Sequence, residues 1–442
     1  MKTKKMLLIV IIAAALGVGW LLSVRTAFGT EVIKEQRNLV KEADELAARK
    51  LYVRAIDLYE EALSQSSRLT PEIQAKLLVA YQGYEDMNAY AKLVENRNLA
   101  GTATEEEYLT AAEYYAGRSK WSEAVTLLKV GVEKTGSQTL TDYLEEIRYP
   151  YKTRVTRYQQ ILPSADNSQM PAFDGVKWGY IDEGGSDVLD FIYDSATPYG
   201  SAGFAVVSID GTYYAILSNG DWYGADDGTT YDRMTDIFGV SGKRILGKRG
   251  NTYSYYDYDF APIAESYQFD QMSGNACGVA AVSKGGKWGI IKDSGETVVD
   301  YILEDVAVNS LGNAFAGDRA MVKENGVWYL IDTEGNHISE NTYADAKAPE
   351  SSGYIAVADA DGNWGYIDRE GNQVIDYQYN DAKSFSNHLG AVKSVNDWGY
   401  ISEKNKMIIE ENYEDAQPFH NGIAQAKLTD GMALLTLKYF EE

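Results

Sequence analysis

One pattern recurs along the second half of this 442-residue chain and constrains its fold more than any other feature. From residue 171 onwards, short β-rich runs alternate with Gly, Asn and Asp turns, which is typical of strands joined by hairpins. One aligned position, aromatic in all units but the last, returns at spacings of 35, 40, 35, 40, 36, 34 and 34 residues, at Trp178, Tyr213, Tyr253, Trp288, Trp328, Trp364, Trp398 and Met432. Such spacing indicates units that bury their apolar faces by packing on one another.

Other positions keep a fixed distance from the aromatic residue in most units. In the unit around Trp364, an alanine precedes the ring by eight residues, Gly371 follows it by seven, Tyr379 by fifteen and Ala382 by eighteen. Gly and Asn accept positive φ, so the position of Gly371 is predicted to be a hairpin turn. An aromatic residue fixed at one offset in every unit is more often a packing residue than a sugar-stacking platform, and we therefore interpret Trp364 as core.

The repeat predicts three short strands in each unit, and about eight units suit a propeller-like ring, with an open β-solenoid as the alternative. The first unit lacks a clear first strand, because Met170 occupies the alanine position, and the last unit stops after its second strand. These gaps complement each other. They favour a ring that closes by joining its two ends, since a ring also protects edge strands.

Residues 171–440 resemble the WG-repeat family, which is named for its Trp-Gly pair. The pair stands in the first, fourth, sixth and seventh units, which read WGYID, WGIIK, WGYID and WGYIS. The fifth unit reads WYLID, and the second and third have lost the pair. The resemblance implies binding or envelope-associated roles more than catalysis.

Residues 30–160 have a helical and tyrosine-rich pattern. Ala55, Ala89 and Ala124 are separated by 34 and 35 residues, and Asn96 interrupts the small-residue pattern in the middle. Over residues 31–145 this resembles the tetratricopeptide repeat (TPR), whose small residues allow helices to approach closely. The resemblance implies a stack of helical hairpins with a groove for a peptide or protein segment.

The N-terminus carries an uncharged run of 19 residues, 6–24, preceded by Lys2, Lys4 and Lys5 and followed by Arg25. A helix of that length spans about 28 Å, close to a hydrocarbon core. The positive-inside rule then predicts a single-pass cell-membrane protein with a cytoplasmic N-terminus and an extracytoplasmic bulk. A cleavable signal peptide ending near residues 27–29 is the alternative.

The predicted fold class is therefore an α+β multidomain chain with an N-terminal transmembrane helix. Its domains are a cytoplasmic tip and anchor (1–29), a TPR-like helical repeat domain (30–160), a linker (161–170) and an all-β WG-repeat domain (171–442). The lone Cys277 excludes an intramolecular disulfide, and a chain of this length builds ordinary cores.

Charge and motifs favour a non-enzymatic binding or scaffold protein. The formal charge of −24 argues against a nucleic-acid partner, because phosphate contacts need a basic footprint. The chain has no GxSxG elbow and no HExxH motif, and we expect no cofactor. The expected partner is a protein or peptide, with a cell-envelope glycan as the alternative. A hydrolase would require carboxylates that converge at the hub of the ring.

Candidate contact residues are predicted where the repeat deviates most, in NTYSYYDYDF at residues 251–260. The tyrosines there alternate with polar residues and predict a strand face made of phenol rings. We therefore select Tyr255, Tyr256 and Tyr258, with Trp222 nearby, as candidate ligand contacts.

Three other motifs are interpreted as structural. Residues 242–248 fit GxxxxGK, but Arg249 replaces the required Ser or Thr and no helix follows. Residues 359–363 resemble the start of a calcium loop but coincide with a repeat turn and lack the distal Glu. The three histidines, His337, His388 and His420, fall in separate units and are expected on solvated loops.

Overall fold

The computed structural model describes residues 30–164, 169–200, 203–222, 236–241, 244–257, 259, 261–263, 268–350 and 353–440. The chain divides into two compact units, Met1–Arg148 and Tyr149–Glu442. In the described residues, the first unit is helical and the second is built of β-strands.

The helical unit contains seven described helices: 30–48 (α1), Tyr52–Leu63 (α2), Thr70–Tyr84 (α3), Met87–Leu99 (α4), Glu105–Gly117 (α5), Trp121–Thr135 (α6) and Gln138–Ile147 (α7). From α2 to α7, each helix packs on the next. Several begin with a side-chain cap. Helix α5 has a full capping box, in which Thr104 and Glu107 satisfy each other's backbone N–H groups.

The repeat register in α4 differs by one residue from the register predicted from the sequence. Ala55 in α2 is fully buried as predicted, but Ala89 in α4 is only partly buried and its neighbour Tyr90 faces the core. The shift brings Arg97 into the core, where its Nε lies 2.9 Å from a carboxylate oxygen of Glu107. A buried guanidinium needs such a partner, so the ion pair fixes the register of this helix. The TPR resemblance itself stays a prediction.

The predicted membrane anchor is corrected here. In the part of the chain that the structure describes, no helix is both long and apolar enough to cross a membrane. The predicted transmembrane helix in the fold class is therefore wrong, and so is the single-pass localisation that depended on it. The anchor segment itself, residues 6–24, lies outside the described residues.

The β unit is an eight-bladed propeller, so the ring interpretation is confirmed over the solenoid. We number the blades along the chain. Their strands are Gln160–Ile161 (β2), Met170–Phe173 (β3), Trp178–Ile181 (β4) and Asp187–Tyr193 (β5) in blade 1; Ser195–Ala196 (β6), Phe204–Ile209 (β7) and Thr212–Leu217 (β8) in blade 2; Asp236–Ser241 (β9), Arg244–Arg249 (β10) and Thr252–Tyr256 (β11) in blade 3; Gln271–Met272 (β12), Val279–Lys284 (β13), Lys287–Lys292 (β14) and Thr297–Leu303 (β15) in blade 4; Asp305–Val306 (β16), Ala320–Glu324 (β17) and Val327–Ile331 (β18) in blade 5; Asp345–Ala346 (β19), Ile355–Ala358 (β20), Trp364–Ile367 (β21) and Gln373–Tyr379 (β22) in blade 6; Asp381–Ala382 (β23), Leu389–Lys393 (β24), Trp398–Ser402 (β25) and Met407–Tyr413 (β26) in blade 7; and Asp415–Ala416 (β27), Ile423–Leu428 (β28), Gly431–Leu437 (β29) and Tyr151–Val155 (β1) in blade 8.

The ring closes through β1, which precedes the first repeat and pairs antiparallel with β29 of the last. The closure continues beyond the ladder, since the backbone N–H of Thr156 donates to the carbonyl of Met432 at 2.8 Å. The prediction that the two ends complement each other is thus confirmed, with one correction. The predicted first strand of that unit is present as β3, the second strand of blade 1, which begins at Met170, and the borrowed piece, β1, is the fourth strand of blade 8.

The glycine of the Trp-Gly pair has a structural cause. The four blades that contain it are those in which a long fourth strand (β5, β15, β22 or β26) pairs with the third through a register shift. At this bulge the backbones approach closely. A Cβ on Gly365 would lie 2.7 Å from the carbonyl oxygen of Ile375, and one on Gly399 only 2.5 Å from that of Ile409. Blade 8 pairs with β1 without a shift and has Ala433 at this position.

Candidate functional site

The predicted contact residues do not form one surface. Trp222 is 40% exposed in blade 2 and packs on Tyr214, with ring centroids 4.5 Å apart. Tyr255 and Tyr256 are each only 3% exposed. Tyr258 lies outside the described residues. The described residues therefore bring none of these side chains together on a ligand-accessible face.

Tyr255 and Tyr256 point to opposite faces of β11, as neighbours on a strand do, so these two rings do not lie on one face. Tyr256 packs against Phe204 of blade 2. Tyr255 faces blade 4, where its hydroxyl donates to the carbonyl of Ser273 at 3.2 Å. It stands two residues after the aligned Tyr253, and the alignment could have identified it as the structural tyrosine of the repeat.

The same interblade hydrogen bond recurs around the ring. A buried tyrosine two residues after the aligned aromatic residue donates to a carbonyl of the next blade, with O···O distances of 2.9 Å for Tyr180 and Thr197, 3.2 Å for Tyr366 and Lys383, and 2.7 Å for Tyr400 and Gln417. Each acceptor directly follows the short first strand of its blade. These first strands and the loops after them are thereby fixed by the preceding blade.

In blades 5, 6 and 8, the residue four positions after the buried end of the first strand reaches the axis of the ring. It is Ser310 in blade 5, Glu350 in blade 6 and His420 in blade 8. The Oγ of Ser310 lies 2.6 Å from Nε2 of His420. Blades 5 and 8 are not neighbours in an eight-bladed ring, so the contact places this cluster at the hub.

Glu350 of blade 6 binds Ser310 of blade 5 through two hydrogen bonds. Its Oε2 accepts from Ser310 Oγ at 2.9 Å, and its Oε1 accepts from the Ser310 backbone N–H at 3.0 Å. Burial raises the pKa of Glu350 to about 7 and lowers the pKa of His420 to about 4. The imidazole is therefore neutral at pH 7. We call Ser310, Glu350 and His420 the hub cluster.

A cavity of about 370 Å³ opens beside the hub cluster, and residues of blades 5 to 8 line it. Ser310 and Glu350 reach it from the hub, Trp328 and Val308 from blade 5, and Lys347, Lys383 and Gln417 from the loops that follow the first strands. The cavity combines an aromatic side chain with cationic, acidic and amide groups. This is the composition of a binding site that orients its ligand by a few polar contacts. We call it the hub cavity.

Lysines follow the first strands of blades 6 and 7 and make the same contacts in both. The Nζ of Lys347 lies 4.4 Å from the centre of the Trp364 ring and 3.4 Å from a carboxylate oxygen of Asp381 in the next blade. Lys383 repeats this with Trp398 at 5.0 Å and Asp415 at 2.7 Å. Each ammonium group is thus shared between its own blade's tryptophan and the next blade's aspartate.

A family model described as "WG containing repeat" matches residues 178–213, 253–288, 364–397 and 398–431. Each match begins at one of the eight aligned positions, at Trp178, Tyr253, Trp364 or Trp398. The chain contains WG repeats. The family resemblance predicted from the Trp-Gly pairs is confirmed for the propeller, and the helices of the first unit precede these repeats.

Two solved structures resemble this chain distantly. Hsv2 of Kluyveromyces lactis is 13% identical, with a TM-score of 0.37 over 64% of this chain and 98% of that one. The WD40 domain of SCAP from fission yeast is 7% identical, with a TM-score of 0.39 over 65% of this chain and 98% of that one. Likeness at this level carries no argument about function. No curated protein matches the chain.

Two motifs within the propeller prove to be strand or turn structure. In the calcium-like stretch, Oδ1 of Asp359 accepts the backbone N–H groups of Asp361 and Asn363 at 2.9 Å each. The carboxylate therefore stabilises its own hairpin turn. Of the GxxxxGK stretch, residues 242 and 243 lie outside the described residues and Arg244–Arg249 form β10. No phosphate loop is formed by this strand.

The histidines of the WG repeats differ in environment, and the expectation of solvated loops fails for one of them. His337 stacks on Tyr329, with centroids 4.3 Å apart, and His388 lies 2.9 Å from Glu403. His420 is buried in the hub cluster, which no sequence motif predicted. Aligning the residues four positions after each first strand would have placed it beside Ser310 and Glu350. Among the described residues, no group of three or more His, Cys, Asp or Glu side chains could hold a metal ion.

Proposed function

We propose that this WG-repeat protein is a non-enzymatic binding protein whose hub cavity takes a segment of a partner protein. The observation that carries the proposal is the hub cavity itself, which four consecutive blades line and which a hydrogen-bonded frame surrounds. A frame of this kind preorganises the site, and preorganisation lowers the entropic cost of binding.

Few aromatic residues are exposed in the described part of the propeller, and this favours a protein segment over an envelope glycan as the ligand. A glycan platform would need several aromatic faces open on one side. In the described part of the propeller, the exposed aromatic residues are Tyr151, Trp222 and Phe440. Trp222 belongs to blade 2 and Tyr151 to blade 8, so these rings form no continuous platform. The polar lining of the hub cavity is better suited to backbone and side-chain groups of a peptide.

The hub cluster contains serine, histidine and glutamate, but its hydrogen bonds differ from those of a hydrolase. Glu350 Oε2 lies 2.9 Å from Ser310 Oγ and 3.6 Å from Nε2 of His420, so the carboxyl group lies on the serine side of the imidazole. In an activated nucleophile the serine donates to the histidine, and the carboxylate contacts the far side of the ring. Here the glutamate contacts the serine directly. This arrangement supports a structural role for the cluster.

The test is a selection of random phage-displayed peptides on the immobilised full chain, followed by affinity measurements on the enriched peptides. V308W fills the hub cavity from its edge, and V395W adds the same side chain to an exposed hairpin of blade 7. We expect V308W to weaken binding at least about tenfold and V395W to leave it within about twofold.

Two outcomes would contradict the proposal. One is that no peptide is enriched, or that V308W and V395W bind the enriched peptides equally. The other is hydrolysis of p-nitrophenyl acetate by the full chain that S310A abolishes while the fold is retained. Either result would mean that the hub cavity is not the peptide-binding site proposed for it.

A further inference from the structure

Blade 5 lacks the lysine that blades 6 and 7 carry after their first strands. The position occupied by Lys347 and Lys383, one residue after the buried end of the first strand, is Ala307 in blade 5. The other two members of the arrangement are kept. Trp328 is the aligned tryptophan of blade 5, and Asp345 stands in blade 6 at the position of Asp381 and Asp415. Ala307 and Trp328 both line the hub cavity.

The aspartate that would receive the missing ammonium group is available. The Oδ1 of Asp345 accepts the backbone N–H of Ala346 at 2.8 Å, as Asp381 does with Ala382 at 2.9 Å, so the two carboxylates have the same local geometry. Asp381 also pairs with Lys347. Asp345 is exposed and forms no ion pair with any residue that the structure describes.

Lys323 does not replace the missing side chain. It lies opposite Trp328 on the neighbouring strand, with its Nζ 5.9 Å from the ring centre. Lys393 occupies the equivalent place opposite Trp398 in blade 7, and there Lys383 still approaches the same ring to 5.0 Å. The two lysine positions are therefore separate. Blade 7 has a lysine at both, whereas blade 5 has a lysine only at the strand position, Lys323.

We propose that a lysine side chain of a partner protein enters the hub cavity at Ala307, over Trp328, and pairs with Asp345. This inference rests on the proposed function and names the chemistry of its partner, a basic segment. The protein's own lysines show that a tryptophan face and an aspartate of the next blade hold an ammonium group at this repeat position. Lys347 and Lys383 line the same cavity, but each is paired with its own aspartate. The net charge of −24 adds long-range attraction for a basic segment.

The test uses the full chain and a hexalysine probe peptide, acetylated at its N-terminus and amidated at its C-terminus, in about 150 mM salt. A peptide of six Nε-acetylated lysines is the uncharged control. A307K supplies the missing lysine from the protein itself and should occupy the site. V176K adds the same charge at an exposed position of blade 1. We expect A307K to weaken hexalysine binding at least about tenfold and V176K less than about twofold.

A second pair of variants decides the question if A307K does not fold. D345N removes the proposed partner of the lysine, and D190N removes an exposed aspartate of blade 1 with the same change in charge. We expect D345N to weaken hexalysine binding and D190N to leave it unchanged. Equal effects of the two members of either pair, or no binding of hexalysine by the wild type, would overturn the inference.

Failure of this inference is distinguishable from failure of the proposed function. If peptides from the phage selection bind the wild type, lose affinity with V308W and keep it with A307K, the hub cavity binds peptides without a lysine at Ala307. If the selection enriches no peptide, the proposed function itself fails.

Discussion

A tryptophan ring lies between neighbouring sheets at several boundaries of the propeller. The ring of Trp328, for example, packs against Ile355, Val357 and Ile367 of the following blade. Trp364 packs in the same way against residues of blade 7, including Ala382, whose small side chain leaves room for it. At this scale the repeat residues serve packing, while ligand chemistry arises where a residue of the set is replaced, as at Ala307.

Replacing one of these buried rings should cost far more stability than replacing an exposed one. W364A should lower the free energy of unfolding by about 3–5 kcal/mol, because the cavity left between two rigid sheets collapses only partly. Trp222 is 40% exposed, and W222A should cost less than about 1.5 kcal/mol. Urea unfolding measures both, and equal losses would contradict a packing role for Trp364.

The hub cluster predicts a pH-dependent difference between the wild type and E350Q. The folded chain holds the Glu350 proton more tightly than the unfolded chain, because burial raises the pKa of this carboxyl from 4.5 to about 7. The contribution of Glu350 to wild-type stability should therefore fall as pH rises through this window, and E350Q should lack this fall. The stability of E350Q relative to the wild type should increase by up to about 3 kcal/mol between about pH 4.5 and 7. A constant difference across that range, measured by urea unfolding, would contradict the buried carboxyl.

At the scale of the strand, the long, bulged fourth strand of a blade depends on the glycine that follows the tryptophan. Blades 2, 3 and 5 have Tyr214, Ser254 and Tyr329 at this position, and their described residues contain no long fourth strand. A side chain there would meet the backbone of the bulged strand. The Trp-Gly pair is thus a requirement of the bulge, which explains why losing the glycine accompanies losing the strand.

This dependence can be tested with one substitution at two glycines. G399A places a Cβ 2.5 Å from the carbonyl oxygen of Ile409 and should cost about 1–3 kcal/mol of stability. A Cβ on Gly117, the last residue of α5, would meet no atom within 4 Å. G117A should therefore be neutral or stabilise by up to about 1 kcal/mol. If calorimetry finds the two variants equally stable, the close approach is not the reason for the glycine.

The sequence predicted most of the propeller because the repeat positions lie at fixed, short distances along the chain from the aligned aromatic residue. Spacing revealed the repeats, and Gly371 adopts the positive φ of 83° expected at its hairpin turn. Closure by β1 could not be assigned, since Tyr151–Val155 bears no repeat signature and pairs with a strand near the other end of the β unit, as Tyr151 and Leu437 show. The hub cluster was missed for a related reason. Its members share a repeat position but differ in residue type, so no motif marks them.

At the scale of the whole molecule, the propeller depends on one strand to close the ring. Hydrogen bonds from Thr156 and Lys438 flank the β1–β29 ladder. Along an antiparallel ladder, hydrogen-bonded residue pairs alternate with pairs that are not hydrogen-bonded. The alternation directs the backbone N–H of Lys152 towards β29 and that of Thr153 away from it.

Proline at these two positions should therefore act differently. K152P removes a donor from the closing ladder and should cost about 2 kcal/mol, with faster amide exchange in Gly431–Leu437. T153P removes an N–H group that does not pair with β29 and should leave that exchange unchanged. Hydrogen–deuterium exchange distinguishes the two variants, and unchanged exchange in K152P would mean that the ring does not depend on β1.

The central claim is that the replaced lysine position in blade 5 is the ligand site of this WG-repeat propeller. A crystal structure of the full chain with the hexalysine probe tests it most directly. We predict a lysine side chain of the probe over Trp328, with its Nζ within about 4 Å of a carboxylate oxygen of Asp345. An ordered probe bound elsewhere on the chain, with this position unoccupied, would contradict the claim.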